Sequence, residues 1–232
     1  MPGRLNSYMS DLHTSVMTAL HTPHAEQPIA LDQPLPHRKT LREWLIPLSG
    51  RSTVRAFVLL VLDYALFFAL ITGTIALDAI WAKLLCALAA GFVIGRLFII
   101  GHDACHQSLT PHRELNKVLG RIAFLPSLTP YSLWDTGHNV VHHGYTNLKG
   151  VDFVWTPLTA TEFEALNPMQ KLLERAYRSG WAPGLYYMIE IWWKREFFPN
   201  KTHMPTRRPI FFKDSLLVTL FAAFWIATLA AA

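Results

Sequence analysis

The 232 residues carry a formal charge of +5, yet only 16% of them are charged and 51% are hydrophobic, with a mean hydropathy of +0.22. This composition disfavours an ordinary soluble protein, in which roughly 25% of residues are charged. It also disfavours nucleic acid binding, because Lys and Arg are scattered between apolar runs without forming a basic stripe. Cys86 and Cys105 form no disulfide framework, so a reduced, cytoplasm-facing site is expected.

The first 50 residues lack the apolar core of a signal peptide and contain six prolines, five of them between Pro23 and Pro47. We interpret residues 1–50 as a flexible cytoplasmic arm and residues 51–232 as the folded domain. The domain begins with an apolar run from Val54 to Leu77, whose 24 residues would form a helix of roughly 36 Å, long enough to cross a membrane. A second run, Ala79 to Ile100, follows after one residue, which predicts an antiparallel transmembrane hairpin.

Two ionisable residues interrupt these predicted spans. For Asp63 we expect a helix-packing role, whereas Arg96 either reaches the cytoplasmic interface or supports a site at the end of the second helix. A third apolar run extends from Ser215 to Ala232. We therefore predict an all-α membrane protein, in which a transmembrane helical hairpin precedes a cytoplasmic helical region and a partial third transmembrane run.

The charge distribution predicts the orientation. Residues 102–213 contain thirteen Lys or Arg, whereas the turn between the first two spans contains none. The positive-inside rule places the N-terminus and residues 102–213 in the cytoplasm. Within that region, the aromatic-rich segment 181–199 suits a helix lying at the membrane interface.

Six of the eleven histidines fall within residues 101–147, directly after the second span. His102 and His106 are four apart, which on a helix places both imidazoles on one face. His138 and His142 repeat that spacing, and His143 lies about 100° around an α-helix from His142. Imidazole is a good ligand for transition metals, and the arrangement favours two neighbouring metal ions over one.

A zinc protease is the rival interpretation, because the segment "HDACH" has the HExxH spacing with Asp in place of Glu. The aspartate is one methylene shorter than the glutamate base, and a protease needs one further ligand, which an HxxxHH cluster does not match. We interpret His112 and His203 as interfacial polar residues.

The segments "HDACH", "PYSLW", "HNVVHHGYTN" and "DFVW" resemble the membrane-bound fatty acid desaturase family. The resemblance covers about residues 54–158. It implies an oxygen-dependent enzyme with two iron ions (Fe2+/Fe3+), dioxygen as co-substrate, and no catalytic residues beyond the metal ligands. It also implies that the ligands include His102, His106, His138, His142 and His143.

Family members have a third box, (H/Q)xxHH, which does not occur after His143 in this sequence. The resemblance implies that the C-terminal part, with the last ligands, is missing from this chain and that the chain alone is inactive. It further implies a lipid or acyl-thioester substrate and a separate electron donor of the ferredoxin or cytochrome b5 type.

Several other residues are candidates for the site. Ligand histidines usually bond a carboxylate or carbonyl through their second nitrogen, so Asp103, Asp135 and Asp152 are candidates for that contact. Asn147 follows the second group of histidines and is a candidate for holding a metal-bound water. Tyr131, Trp134 and Trp155 are candidates for lining an acyl slot. Two alternatives remain: a hydroxylase or related oxygenase on the same scaffold, acting on an alkane, sterol or carotenoid, and a non-catalytic or decayed membrane protein.

Overall fold

The computed structural model of the chain describes residues 36–154, 156–180, 183–197, 199, 201, 204 and 206–231. The chain divides into two units, Met1–Arg51 and Ser52–Ala232. The described part of the first unit contains one short helix, α1 (Arg38–Leu45), and a 3-10 turn, Ile46–Leu48. The histidines of the predicted arm before His37 lie outside the described residues.

The second unit begins with the predicted hairpin of two long helices, α2 (Thr53–Ala76) and α3 (Ile80–Cys105). Ser52 caps α2 by accepting a hydrogen bond from the Arg55 N–H, which satisfies one of the unpaired donors of the first turn. Helix α3 extends five residues beyond the predicted end of the span, so His102 lies on its last turn and His106 is its C-cap residue. Both helices are long and apolar enough to cross a membrane.

An ion pair joins the two helices of the hairpin. Asp63 is 1% exposed and accepts hydrogen bonds from Arg96 Nε at 2.9 Å and Nη2 at 2.8 Å. An unpaired charge in lipid is costly. The ion pair therefore explains how both charged residues can lie within the two long apolar helices. It agrees with the expected packing role of Asp63 and places the Arg96 guanidinium against the neighbouring helix.

A helical region follows the hairpin and leads to the last long helix. Its elements are α4 (Arg113–Phe124), α5 (Tyr131–Asp135), a π-helix π1 (Thr136–His142), α6 (Ala160–Glu164), α7 (Pro168–Tyr177), α8 (Pro183–Tyr186), a second π-helix π2 (Tyr187–Phe197) and α9 (Pro209–Ala231). No strand occurs in the part of the chain that the structure describes, so the predicted all-α membrane fold is confirmed.

Helix α4 packs closely against α3 beside the first histidine. An added Cβ at Gly101 would lie 2.4 Å from the Phe124 ring, so only glycine allows this approach. Phe124 is fully buried and contacts Phe98 and Trp134 at centroid distances of 5.0 and 5.2 Å. This aromatic core lies directly beneath the histidine-bearing turn of α3.

Helix α9 is the third candidate membrane span, and it begins six residues before the predicted run. The interfacial segment of the sequence analysis corresponds to α8 and π2, which are not among the helices suited to cross a membrane in the described residues. The three long helices make the protein an integral membrane protein.

Candidate metal centre

The first histidine pair lies at the C-terminal end of α3. His102 and His106 are one helical turn apart, and their Nε2 atoms face each other at 3.2 Å. On its other side, the His102 ring contacts a carboxylate, because its Nδ1 lies 3.1 Å from Asp103 Oδ1. The predicted helix and its shared face are therefore both present.

The second group of histidines lies on a π-helix, not on the α-helix that its spacing predicts. The His143 N–H donates to the His138 carbonyl at 2.9 Å, which is the i→i+5 bond of a π-helix. In this wider helix His143 comes back beneath His138, and their Nε2 atoms lie 3.1 Å apart. His142 and His143 therefore lie on either side of His138, with their rings 5.3 and 4.6 Å from the His138 ring.

The two groups converge across the interface of α3 and π1. The His138 ring lies 5.1 Å from the rings of both His102 and His106, and the His106 ring lies 4.9 Å from that of His143. Ligand nitrogens of His102, His106 and His138 all lie within 4.8 Å of one another. His142 completes the group, with its ring 5.3 Å from those of His138 and His143.

The surroundings keep two of these imidazoles neutral. Burial, followed by the charges of the neighbouring histidines, lowers the pKa of His138 to about 3. Burial, followed by the charges of His102 and His143, also lowers the pKa of His106. A metal ligand must be an unprotonated imidazole, so both rings are in the form that binds a metal at neutral pH.

Asp152 orients His142. Its carboxylate oxygens both lie 3.0 Å from His142 Nδ1, and they accept the backbone N–H groups of Asn147 at 2.9 Å and Val154 at 3.0 Å. Burial by itself raises the pKa of Asp152, but these hydrogen bonds outweigh it and lower the pKa below its ordinary value. The carboxylate therefore stays ionised and holds Nε2 of His142 toward the other rings.

The other two candidates beside the histidines have different surroundings. The Asp135 carboxylate accepts a hydrogen bond from the Asn139 amide at 2.6 Å, and that amide also donates to the Cys105 carbonyl. This contact joins π1 to the end of α3. Asn147 contributes its backbone N–H to Asp152, and its own side chain is exposed.

The donor set fits transition metal ions. Two imidazole nitrogens bound to one metal at about 2.1 Å and at right angles lie about 3.0 Å apart. The spacings of the His102–His106 and His138–His143 pairs, 3.2 and 3.1 Å, are close to that value. An all-imidazole set with carboxylates behind it suits iron, copper or zinc far better than magnesium or calcium.

A cavity of about 190 Å³ lies beside the histidines. Its walls are mostly apolar, and the lining residues are Phe98, His102, Trp134, His138, Phe153, Val154, Tyr187, Ile191 and Glu196. Of the slot candidates, Trp134 lines this cavity and stacks on His138 at 4.2 Å. Tyr131 packs under Arg121, at 4.8 Å, and is not among the lining residues. Trp155 lies outside the described residues.

Sequence reasoning missed the wall that π2 contributes. Tyr187, Ile191 and Glu196 belong to a segment whose aromatic-rich sequence predicts only an interfacial helix. The available signal was Glu196 itself, a carboxylate within an aromatic-rich stretch. Its spacing from Tyr187, nine residues, becomes meaningful only once the segment is known to be a π-helix.

Comparison with known proteins matches residues 78–232, about two thirds of the chain, to the model of a family described as fatty acid desaturase. The chain is 32% identical over 119 residues to a chloroplastic omega-6 fatty acid desaturase of Glycine max, covering 51% of this chain and 27% of the relative. It is 38% identical over 97 residues to a fatty acid desaturase of Bacillus subtilis, covering 41% and 27%.

A third relative is an sn-1 oleoyl-lipid 12-desaturase of Picosynechococcus, which is 33% identical over 128 residues, covering 54% of this chain and 34% of the relative. The chain thus spans about a third or less of the length of these curated relatives. No solved structure matches the chain.

Proposed function

The chain belongs to the fatty acid desaturase family, and from that premise we propose that it carries the iron centre of an oxygen-dependent enzyme that introduces a double bond into a fatty acyl chain. The observation that carries this proposal is the convergence of five imidazoles from α3 and π1 on one point, with Asp103 and Asp152 bonded to their outer nitrogens.

The chemistry explains why a metal is needed. Hydrogens on an unactivated alkyl chain are not acidic at any side-chain pKa, so general acids and bases alone cannot remove them. Two bound iron ions would supply an oxidant derived from dioxygen. We assign His102, His106, His138, His142 and His143 as ligands of these ions, and Asp103 and Asp152 as the carboxylates that orient His102 and His142.

The protein's own residues would position the substrate. Trp134 stacks on His138 and, together with Phe98 and Ile191, forms an apolar wall beside two of the ligands. A segment of an alkyl chain in this cavity would lie between this apolar wall and the imidazoles. Because α2, α3 and α9 are membrane helices, a chain already dissolved in the bilayer has a short route to this cavity.

The remaining parts of the proposal concern the surroundings of the enzyme. We propose that the substrate is the acyl chain of a membrane lipid or thioester; the lipid form is favoured by relatives named oleoyl-lipid 12-desaturases. A separate ferredoxin or cytochrome b5 would supply electrons, and the histidines and the N-terminal arm of residues 1–50 would face the cytoplasm. Residues 51–232 would belong to the desaturase domain.

The test is lipid profiling of a host that expresses the protein from its complete reading frame. We expect new unsaturated acyl chains and two irons per chain. Replacing His138 with Ala removes a central ligand and should lower desaturation at least about a hundredfold. The matched control is His112→Ala, because His112 is exposed at the start of α4, outside the cluster.

Three results would contradict the proposal. Unchanged lipids from well-expressed protein would refute the activity, and equal products from wild type and His138→Ala would refute the centre. Hydroxylated chains without new double bonds would replace desaturation with the oxygenase reaction of the same scaffold.

A further inference from the structure

Glu196 is a buried carboxyl group that the proposed metal centre does not use. It is 5% exposed and lines the cavity that His102 and His138 also line. Its hydrogen bond comes from the Tyr187 hydroxyl, at 3.4 Å from Oε2, and no cation pairs with it in the described part of the chain. Burying a carboxyl group costs free energy of desolvation, which an apolar residue at the same position in the wall would not. The presence of Glu196 here therefore suggests a functional role.

The surroundings of Glu196 favour its protonated form. Burial raises the pKa of Glu196 to about 8, against which the Tyr187 hydrogen bond acts only weakly. The carboxyl is also absent from the group of ligand atoms that could share a metal, which contains His102, His106 and His138. At neutral pH Glu196 is therefore an acid that faces the cavity, and it is not placed as a ligand.

Hydroxyl groups connect Glu196 to the outside of the cavity. Tyr187 donates to Glu196, and the Thr129 side chain lies beside the Tyr187 hydroxyl. The Ser127 hydroxyl in turn donates to Thr129 Oγ1 at 3.0 Å. Thr129 is 2% exposed, whereas Ser127 is partly exposed, so the series Ser127, Thr129, Tyr187 and Glu196 leads from solvent to the cavity.

The hydroxyls in this series can turn, as proton transfer along it requires. The Ser127 hydroxyl has a second acceptor in the Phe124 carbonyl at 3.0 Å, and the Thr129 hydroxyl has one in the Ser127 carbonyl at 3.3 Å. The loop itself is held in place, because the Trp192 indole N–H donates to the Leu128 carbonyl at 2.8 Å. Trp192 belongs to π2, the element that carries Tyr187 and Glu196, so this hydrogen bond joins the loop to that helix.

We propose that Glu196 is the proton donor of the cavity and that Tyr187, Thr129 and Ser127 reload it from solvent. The inference rests on the proposed function.

Desaturation converts –CH2–CH2– and O2, with two electrons from the donor protein and two protons from solvent, to –CH=CH– and two waters. Two C–H bonds and the O–O bond break, while one C=C π bond and four O–H bonds form. The two solvent protons pass through Glu196, one after the other.

The test compares Glu196→Gln and Tyr187→Phe in the protein expressed from its complete reading frame. The matched control is Tyr177→Phe, because Tyr177 is 4% exposed and donates to Glu190 at 3.0 Å in a similar pair that does not line the cavity. We expect both test variants to retain two irons, to lose about a hundredfold in desaturation, and to release consumed oxygen as hydrogen peroxide. The control should behave as wild type.

A second readout uses the metal-free protein and does not depend on activity. Between the ordinary pKa of 4.5 and about 8, folded Glu196 keeps a proton that the unfolded chain releases, so this group's contribution to stability is lost as the pH rises through that range. The melting temperature of Glu196→Gln should fall less than that of wild type over the range. The infrared C=O band of a protonated carboxyl group should be present in wild type at neutral pH and reduced in Glu196→Gln.

The outcomes separate the two proposals. If wild type makes no double bonds, the proposed function fails, whatever the infrared band shows. If wild type is active and Glu196→Gln is equally active without peroxide release, proton delivery by Glu196 is refuted. Loss of iron from Glu196→Gln would also refute it, because the carboxyl group would then be a ligand.

Discussion

Asp103 and Asp152 both contact a histidine, but their surroundings differ. The Asp103 side chain is 48% exposed, whereas that of Asp152 is 1% exposed and accepts two backbone N–H groups in addition to the His142 ring. Water competes with the exposed Asp103 carboxylate for the His102 ring, so Asp103 orients that ring less strongly. Asp152 is therefore the more important of the two, although Asp103 is the one that lies within a histidine box.

Asp152→Asn should weaken iron binding by about 10- to 100-fold. Each oxygen of Asp152 accepts one backbone N–H. The NH2 group of an asparagine side chain would replace one of these oxygens and face a backbone N–H, which is also a donor. The measurement is iron content after dialysis against a chelator series. Asp103→Asn is the matched control and should change binding less; an equal or larger effect of that variant would contradict the ranking.

The π-helix is the element that determines how the second histidine group works. In π1, residues five apart are joined by a backbone hydrogen bond, which brings His143 beneath His138 and leaves His142 beside them. In an α-helix, residues three and four apart share a face. His142 and His143 follow His138 by four and five residues, which is one residue more than the spacing that shares a face of an α-helix. The wider turn of the π-helix compensates for this extra residue.

Val140, which is 58% exposed, allows a direct test of this compensation. Deleting it places the three histidines at i, i+3 and i+4, which an α-helix presents on one face, so iron binding should persist within about tenfold. Inserting one Ala after Val140 places the three histidines at i, i+5 and i+6, a spacing that neither an α-helix nor a π-helix brings together. Iron binding by this variant should fall below detection. Iron content of the two purified variants is the measurement. Loss in both variants, or in the deletion alone, would refute this explanation.

The third long helix is joined to the site through one buried carboxylate. Asp214 of α9 is 3% exposed and accepts hydrogen bonds from Arg121 Nε at 2.8 Å, Arg121 Nη2 at 3.2 Å and the Ser132 N–H at 2.9 Å. Ser132 lies on α5, which continues directly into π1. The position of the second histidine group therefore depends on a residue more than 70 positions further along the chain.

Asp214→Asn should lower the free energy of unfolding by about 3–5 kcal/mol, because it leaves the Arg121 charge without its buried partner. Glu114→Gln is the control: Glu114 pairs with Lys117 at the surface, with its side chain 81% exposed, and its replacement should lower the free energy of unfolding far less than that of Asp214. Denaturant unfolding in detergent measures both. Similar small losses in the two variants would show that the buried pair contributes little.

Patterns close together in the sequence predicted much of this protein. The long apolar runs identify membrane helices, because only a helix satisfies every backbone polar group in lipid. The 24-residue first run predicted α2 to within one residue at each end. The histidine spacings predicted two ligand groups, since spacing along one helix determines which side chains share a face. Neither inference requires knowledge of distant parts of the chain.

Contacts between distant residues decided the rest. No local pattern distinguishes the π-helix of His138 from an α-helix, because the choice depends on packing against α3 and on the Asp152 loop. The pairing of Arg121 with Asp214 and the cavity shared by Trp134 and Glu196 likewise join segments far apart in sequence. The sequence by itself determined which residues are capable of binding a metal, whereas the tertiary structure decided where they meet, because convergence depends on how the helices pack.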